Sequence, residues 1–302
     1  MGQSLRRSRG KLLKRFLQLS YLARHPISHA RCVTTVARSR LSSSPAAAFR
    51  YLGDHLALSL ATSRRREALE GHHSIALATF SSAAARRIRK GAVLWRRETA
   101  EGPPLTIVLE PSKLAPMEGE LQLSFSFRSE LYVLTFLLAP GRVFGSSNPK
   151  ILFIGGLQGR LGRLKEIREA SKRNREIAPT TMLLLAVQAI ARELGADELI
   201  AVGEDDQISM SYSASMMGFD YRAFWTDVGG SRNGRFYSLP LEQVHRPLSE
   251  TPATHRSRTR RKREEKQRVV QDLERHLRQL VAPVRSGRPF ESPTEPAPVW
   301  AV

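Results

Sequence analysis

The spacing of apolar residues changes character twice along the chain. Phe49, Leu52, Leu56 and Leu60 recur at intervals of three and four, which predicts helix. The helical reading runs through residues 46–98, with His72 and His73 between Arg64–Glu70 and Ile75–Phe80, and ends in Ala83–Arg97, where Trp95 marks a change of pattern. From Leu105 the period becomes two. Leu105, Ile107 and Leu109 alternate with Thr106 and Val108. Leu121, Leu123, Phe125 and Phe127 alternate with Gln122, Ser124 and Ser126, the pattern of a half-buried antiparallel strand preceded by a turn at Glu118-Gly119-Glu120. Leu131–Ala139 is almost uniformly apolar and predicts a central strand closed by Pro140-Gly141. Ile151–Ile154 predicts a short strand buried on both faces. These four strands in succession predict an antiparallel meander.

The apolar run stops at Gly155 and Gly156, and Gly159 and Gly162 follow, so a glycine-rich turn is expected after the fourth strand, leading into a helix over Leu161–Arg175. Pro179 opens a second helix at a favoured first-turn position, and Gly195 is its expected stop. Glu198–Val202 and Phe236–Leu239 read as strands, and Arg256–Leu280 as a basic helix carrying one stripe of Val269, Val270, Leu273, Leu277 and Leu280. The expected fold is α+β: N-terminal helices, then a mixed, largely antiparallel sheet of about six strands with helices packed on it, and a basic C-terminal helix. The expected organisation is a basic, partly disordered N-terminal segment over 1–48, one domain over 49–282, and a disordered Pro-rich tail over 283–302.

Charge adds a second theme. The 302-residue chain has a formal net charge of +20, and its first fifty residues hold eleven Arg or Lys and no Asp or Glu. Such ends favour polyanions: anionic lipid, nucleic acid or an acidic partner. On the C-terminal helix the expected contacts are Arg256, Arg258, Arg260, Arg261, Lys262 and Arg263. Anionic lipid needs only charge beside an apolar stripe, whereas nucleic acid calls for interleaved aromatics that the segment lacks. The alternative is a helix that packs the stripe on the domain and leaves its arginines solvated. One cysteine, Cys32, excludes a disulfide framework and a Cys-based zinc site. No apolar run approaches the ~20 residues that span a membrane. The N-terminus has the charge of an organellar transit peptide and equally that of a basic amphipathic surface helix.

Candidate chemistry is sparse. Gly155, Gly156, Gln158, Gly159, Arg160 and Gly162 could cradle a phosphate of acyl-CoA with bare amides, or form a tight turn needing glycine for geometry alone. His72 or His73 could serve as a general base; as neighbours they point different ways, and neither has an acidic or histidine partner at the spacing of a helical metal motif, so no metal site is expected. Tyr221, Phe224 and Trp225 share about one helical turn and read as core or as the wall of an apolar ligand, with Tyr212 or Tyr221 a candidate general acid. Glu204, Asp205 and Asp206 read as a solvated loop, or as partners for the basic tail or a cation.

Four segments carry a resemblance: ILFIGGLQG (151–159), APTTMLLLAVQAIARELG (178–195), DYRAFWTDVGG (220–230) and HRSRTRRKREEKQRVVQDL (255–273). In order and spacing they resemble the VirK/YbjX family of bacterial proteins over about residues 50–282, and His72-His73 falls where that family tends to carry a histidine. The resemblance implies a Gram-negative bacterial accessory protein linked to virulence, envelope stress and tolerance of cationic antimicrobial peptides, with no assigned reaction. It replaces the organellar reading with a cytoplasmic protein, peripheral at the inner membrane. The stretch Gly203–Met217 departs from the family in lacking a histidine. The element order is also similar to the acyl-CoA-dependent N-acetyltransferase fold, in which a turn after the fourth strand presents amides to the cofactor pyrophosphate. The spacing of Gln158, Gly159, Arg160, Leu161 and Gly162 departs from that fold's usual turn.

Overall fold

The computed structural model describes residues 15–42, 44–100, 102–113, 115–209, 220–245, 247–250 and 252–281. Alternation in the middle of the chain produces one eight-stranded sheet in the order β1-β2-β3-β4-β5-β6-β8-β7. The strands are β1 (Ala92–Arg97), β2 (Leu105–Pro111), β3 (Leu121–Phe127), β4 (Ser129–Ala139), β5 (Ile151–Gly159), β6 (Glu198–Val202), β7 (Ser231–Asn233) and β8 (Phe236–Leu239). β2 to β5 form the expected four-stranded meander, and β1 extends it by one strand. β5 and β6 are parallel, and every other neighbouring pair is antiparallel. Two strands exceed the expected number. The pattern predicts helix over β1, but Gly91 at φ +94° ends the preceding helix and frees Val93 and Trp95 to pair with β2, with Leu94 bulged between them. β7 is an exposed edge strand of three residues, too short to show a period.

Helices cover both faces. On one side lie α1 (Pro26–Ser39), α2 (Thr62–Thr79) and a 3₁₀ segment (Pro45–Leu52); α3 (Ser82–Lys90) follows towards β1 and β2. The crossover from β5 to β6 contains α4 (Leu164–Arg173) and α5 (Pro179–Glu193), the short α6 (Tyr221–Asp227) precedes β7, and α7 (Ala253–Arg278) ends the described chain. α5 is apolar nearly all round because it is buried on several sides. Its Leu183, Leu184, Val187 and Ile190 join Leu123, Phe125, Leu134 and Phe136 in the main core, together with Val269, Leu273 and Leu277 of α7. Leu137, Ala139, Ile151 and Phe153 face the other way, onto Leu56, Ala68 and Phe144. The polar face of β3 is buried too: Gln122 and Ser124 bond with Glu110 and Glu130, and Gln122 accepts from the Lys113 amide.

The boundary at residue 48 falls inside the packed structure. Cys32 and Val36 of α1 are buried against Tyr51 and Leu69, so α1 belongs to the domain; its few apolar residues at helical spacing lie among arginines. Residues 1–14 and 282–302 lie outside the described residues. The stripe on α7 is the packing face of that helix, so it is not available to insert into lipid.

Gly155 and Gly156 lie within β5 rather than in a turn. The strand does not break there, because β4 continues to pair with it as far as Tyr132↔Gly159. The ladder shifts register opposite Thr135 and Phe136, leaving Gly155 as a bulge. A Cβ on Gly155 would sit 1.8 Å from the carbonyl oxygen of Glu118, and one on Gly156 would sit 2.1 Å from the Glu118 carboxylate. Gly155→Ala is therefore expected to destabilise the protein by about 3 kcal/mol or more. Gly162→Ala, at φ +76° with nothing within 4 Å of the added carbon, is expected to cost only about 1 kcal/mol. Urea unfolding of the two variants checks this; equal losses would contradict the close approach.

Candidate functional site

The segment before β3 brings two buried carboxylates to one face of the sheet, where sequence reading sees only a turn. Glu118, Gly119 and Glu120 cross the end of β4: the Glu120 amide donates to the Phe136 carbonyl at 3.1 Å, and a Cβ on Gly119 would sit 2.6 Å from the Phe136 nitrogen. Glu118 then lies over β5. Its Oε2 accepts from Gln158 Nε2 at 2.8 Å and its Oε1 from Gln207 Nε2 at 3.2 Å. Gln207 also reaches the Tyr221 hydroxyl at 2.9 Å. Burial pushes the Glu118 carboxyl up to about 7, against the opposing hydrogen bonds from Ser209 and Gln158. A cleft of about 30 Å³ opens beside it, lined by Ala115, Val133, Thr135, Gln158 and Gly159. That is room for a water or a small reacting group, not for a whole cofactor.

The cleft adjoins the place where the parallel pair opens. β5 pairs with β6 only from Ile151 to Ile154, and its last five residues run without that neighbour. The stranded edge at Leu157 is closed by Tyr221, whose hydroxyl donates to the Leu157 carbonyl at 2.9 Å and accepts from its amide at 3.0 Å. Tyr221 is 1% exposed, and burial, then the charge of Glu118, hold its phenol well above the usual range. Its proton is committed to Leu157, so Tyr221 acts here as a bracket for the strand edge and for Gln207 rather than as the expected acid. Trp225 is fully buried and donates to the Val202 carbonyl, which makes it core.

A second cluster lies under α2. His55, His72, His73 and Glu120 are all at most 4% exposed. His72 and His73 were expected to point different ways, yet their ring centroids are 5.0 Å apart and both belong to this cluster. The Leu138 amide, left without a partner beyond the start of β3, donates to His72 Nδ1 at 3.2 Å, which fixes the neutral tautomer with its proton on Nε2. Ser39 donates to the Val36 carbonyl, so His73 Nδ1 donates to Ser39 Oγ at 2.7 Å. Glu120 receives Arg50 at 2.8 Å and stands 3.4 Å from His55 Nε2 and 3.5 Å from His73 Nε2. Burial alone would raise its carboxyl; the His73 bond and the Arg50 and His55 charges outweigh that and hold it well below the usual range. Burial lowers His55 to about 4 and His72 to about 3. Among the described residues no group of three His, Cys, Asp or Glu side chains could hold a metal ion.

A family model described as "Protein of unknown function (DUF535)" matches residues 16–275. The chain belongs to that family. It is also similar to the "Uncharacterized protein YbjX" of Escherichia coli (strain K12), 27% identical over 223 residues that cover 70% of this chain and 66% of YbjX. The VirK/YbjX resemblance is thereby borne out, and with it a bacterial family. No solved structure matches the chain. No helix among the described residues is long and apolar enough to cross a membrane.

Against this family background the candidate residues fall into separate places. Gln158 faces Glu118, whereas Gly159, Arg160 and Gly162 lie at the exposed end of β5, where Arg160 pairs with Glu130 and Arg163 with Glu166. Glu204 and Asp205 pair with Arg222 and Arg232 instead of the basic tail, while Asp206 is buried and binds the Ser59 amide and hydroxyl. His55, Glu118, Glu120 and Gln207 carry no local motif; their only signal was two carboxylates flanking a glycine between strands.

Buried His55 and His72 set a direction for acid stability. Below the unfolded pKa near 6.5 the unfolded chain takes up protons that folded His72 refuses, so its contribution is lost as pH falls towards about 3. His72→Gln keeps an acceptor for Leu138. It is expected to flatten the rise of unfolding free energy between pH 5 and pH 6 by about 1.4 kcal/mol per pH unit at most. Urea titrations across that range check this; an unchanged slope would contradict a neutral His72.

Proposed function

We propose that the chain is an acyltransferase that uses an acyl thioester such as acyl-CoA, with Glu118 as general base. The observation that carries this reading is a buried carboxyl raised to about 7 beside a cleft at the opening of the parallel β5–β6 pair. A base poised near neutrality suits proton removal from an acceptor amine or hydroxyl. As the acceptor attacks the thioester carbonyl, Glu118 takes its proton. The carbon–sulfur bond then breaks, and the proton held on Glu118 passes to the departing thiolate. Gln158 and Gln207 hold both carboxylate oxygens, and Tyr221 holds Gln207.

The donor's phosphates would be received at the exposed turn Arg160–Arg163, in place of the Glu130 and Glu166 pairings of its arginines. Gly162 has open space around it, Arg160 and Arg163 flank it, and the first amides of α4 begin at Leu164. The element order supports the reading as well: meander, turn, helices, parallel strand and aromatic helix follow one another as in the acyl-CoA-dependent N-acetyltransferase fold. Acylation of an envelope constituent agrees with the association with envelope stress, virulence and antimicrobial-peptide tolerance that the family resemblance implies.

Acetyl-CoA or a long-chain acyl-CoA at a hundredfold excess over Kd is expected to stabilise the protein by about 2.7 kcal/mol, seen as a raised melting midpoint. Glu118→Gln should keep that shift and lose thiol release. No shift with either ligand would contradict the proposal.

A further inference from the structure

A second recess lies away from the Glu118 cleft, between α7 and the loop that leaves α4. It has a volume of about 630 Å³, and Arg175, Arg258, Arg261, Lys262 and Arg268 line it with Glu176 and Glu264. Positions 258, 262, 265 and 268 follow at three- and four-residue steps, and 261 is three from 258 and four from 265, so all five share one face of α7. The buried stripe of Val269, Leu273 and Leu277 holds the same helix against the core.

Cations outnumber carboxylates there. Glu176 is clasped by Arg258 through two bonds of 2.5 and 2.6 Å and approached by Lys262 at 3.2 Å. Glu265, on the same helix, is 3% exposed and is shared by Arg97, Arg175 and Arg268. Arg261 is exposed and has no acidic partner among the described residues. Burial and then the neighbouring Arg175 charge lower Arg97, the mark of crowded cations.

The opposite wall is built rather than incidental. Arg175 and Glu176 have φ of +51° and +62°, a consecutive pair of non-glycine residues in the left-handed region. Asn174 holds them there. It is fully buried, accepts from Arg97 at 2.7 Å and donates to the Ile177 carbonyl at 3.1 Å. This backbone sets Arg175 over Glu265 and turns Glu176 towards Arg258.

We propose that this recess binds a ligand bearing two or more phosphate groups. Arginine forks and a lysine ammonium match phosphate oxygens. The cationic face from Arg258 to Arg268 extends about 15 Å along the helix, longer than a single phosphate. The recess has charge and depth but no aromatic lining on which bases would stack, which favours phosphate recognition over nucleic-acid recognition. Free polyphosphate and clustered lipid headgroups share this chemistry.

The test is calorimetric titration of the full chain with sodium tripolyphosphate at about 150 mM salt, beside co-sedimentation with phosphatidylglycerol vesicles. Arg261→Glu is compared with Arg275→Glu, an equal charge change on the same helix outside the recess, where Arg275 pairs with Asp272. Both side chains are exposed, so both variants should melt with wild type. Arg261→Glu should weaken binding about tenfold, and Arg275→Glu should leave it nearly unchanged. Tripolyphosphate binding with this difference assigns a soluble ligand; vesicle binding alone, with the same difference, assigns headgroups. Equal losses in the two variants, binding of neither probe, or binding of RNA or DNA alone would overturn the proposal.

Discussion

The main-chain carbonyl of Glu118 presses on β5 so closely that only glycine fits at 155, and its carboxylate lies over Gly156. Much of the rest follows from this contact. The two glycines let the segment before β3 cross β4 and reach its neighbour. The bulge at Gly155 lies where β5 leaves β6. The crossing carries one carboxylate to each side of Gly119: Glu118 to the cleft by Gln158, and Glu120 into the histidine cluster under α2. Both carboxylates are nearly fully buried, yet their environments drive them in opposite directions. Glu118 meets only neutral donors, so desolvation prevails and its pKa rises. Glu120 meets Arg50 and two imidazoles, so charge prevails and its pKa falls.

The histidine cluster explains how the N-terminal helices are held. α2 lays His72 against the unpaired Leu138 amide, and α1 offers Ser39 to His73. Gly71 lies against the Pro140 ring, where an added Cβ would be 2.4 Å away. These contacts, with Arg65 bonded to the Gly53 and Leu58 carbonyls, tie the helical first third to the sheet through polar groups as much as apolar ones. Buried polar ties of this kind demand particular partners, so they specify where the helices sit.

Most of the architecture was legible because period and punctuation agreed. Glu198–Val202 is the observed β6, Pro179 and Gly195 bound α5, alternation marks β2 and β3, and an unbroken apolar run marks β4. β1 was lost because Ala83–Arg97 reads as one helix unless Gly91 is given its positive φ. The glycines of β5 were misplaced because a glycine pair in a strand reads as a break; the partner that requires them, Glu118, is 37 residues earlier in the chain. The candidate site was less legible for the same reason. His72, His73, Gln158 and Tyr221 stood out locally, but what each does is set by Leu138, Ser39, Glu118 and Leu157, which only the fold brings near.

The central claim is that the crossing at Gly155 buries Glu118 among neutral donors and holds it near neutrality. The most direct measurement is the side-chain carboxyl ¹³C shift of glutamate-labelled protein followed from pH 4 to pH 9, with the Glu118 resonance assigned by its loss in Glu118→Gln. A midpoint near 7 is expected. A midpoint near the ordinary glutamate value of about 4.3 would contradict the account.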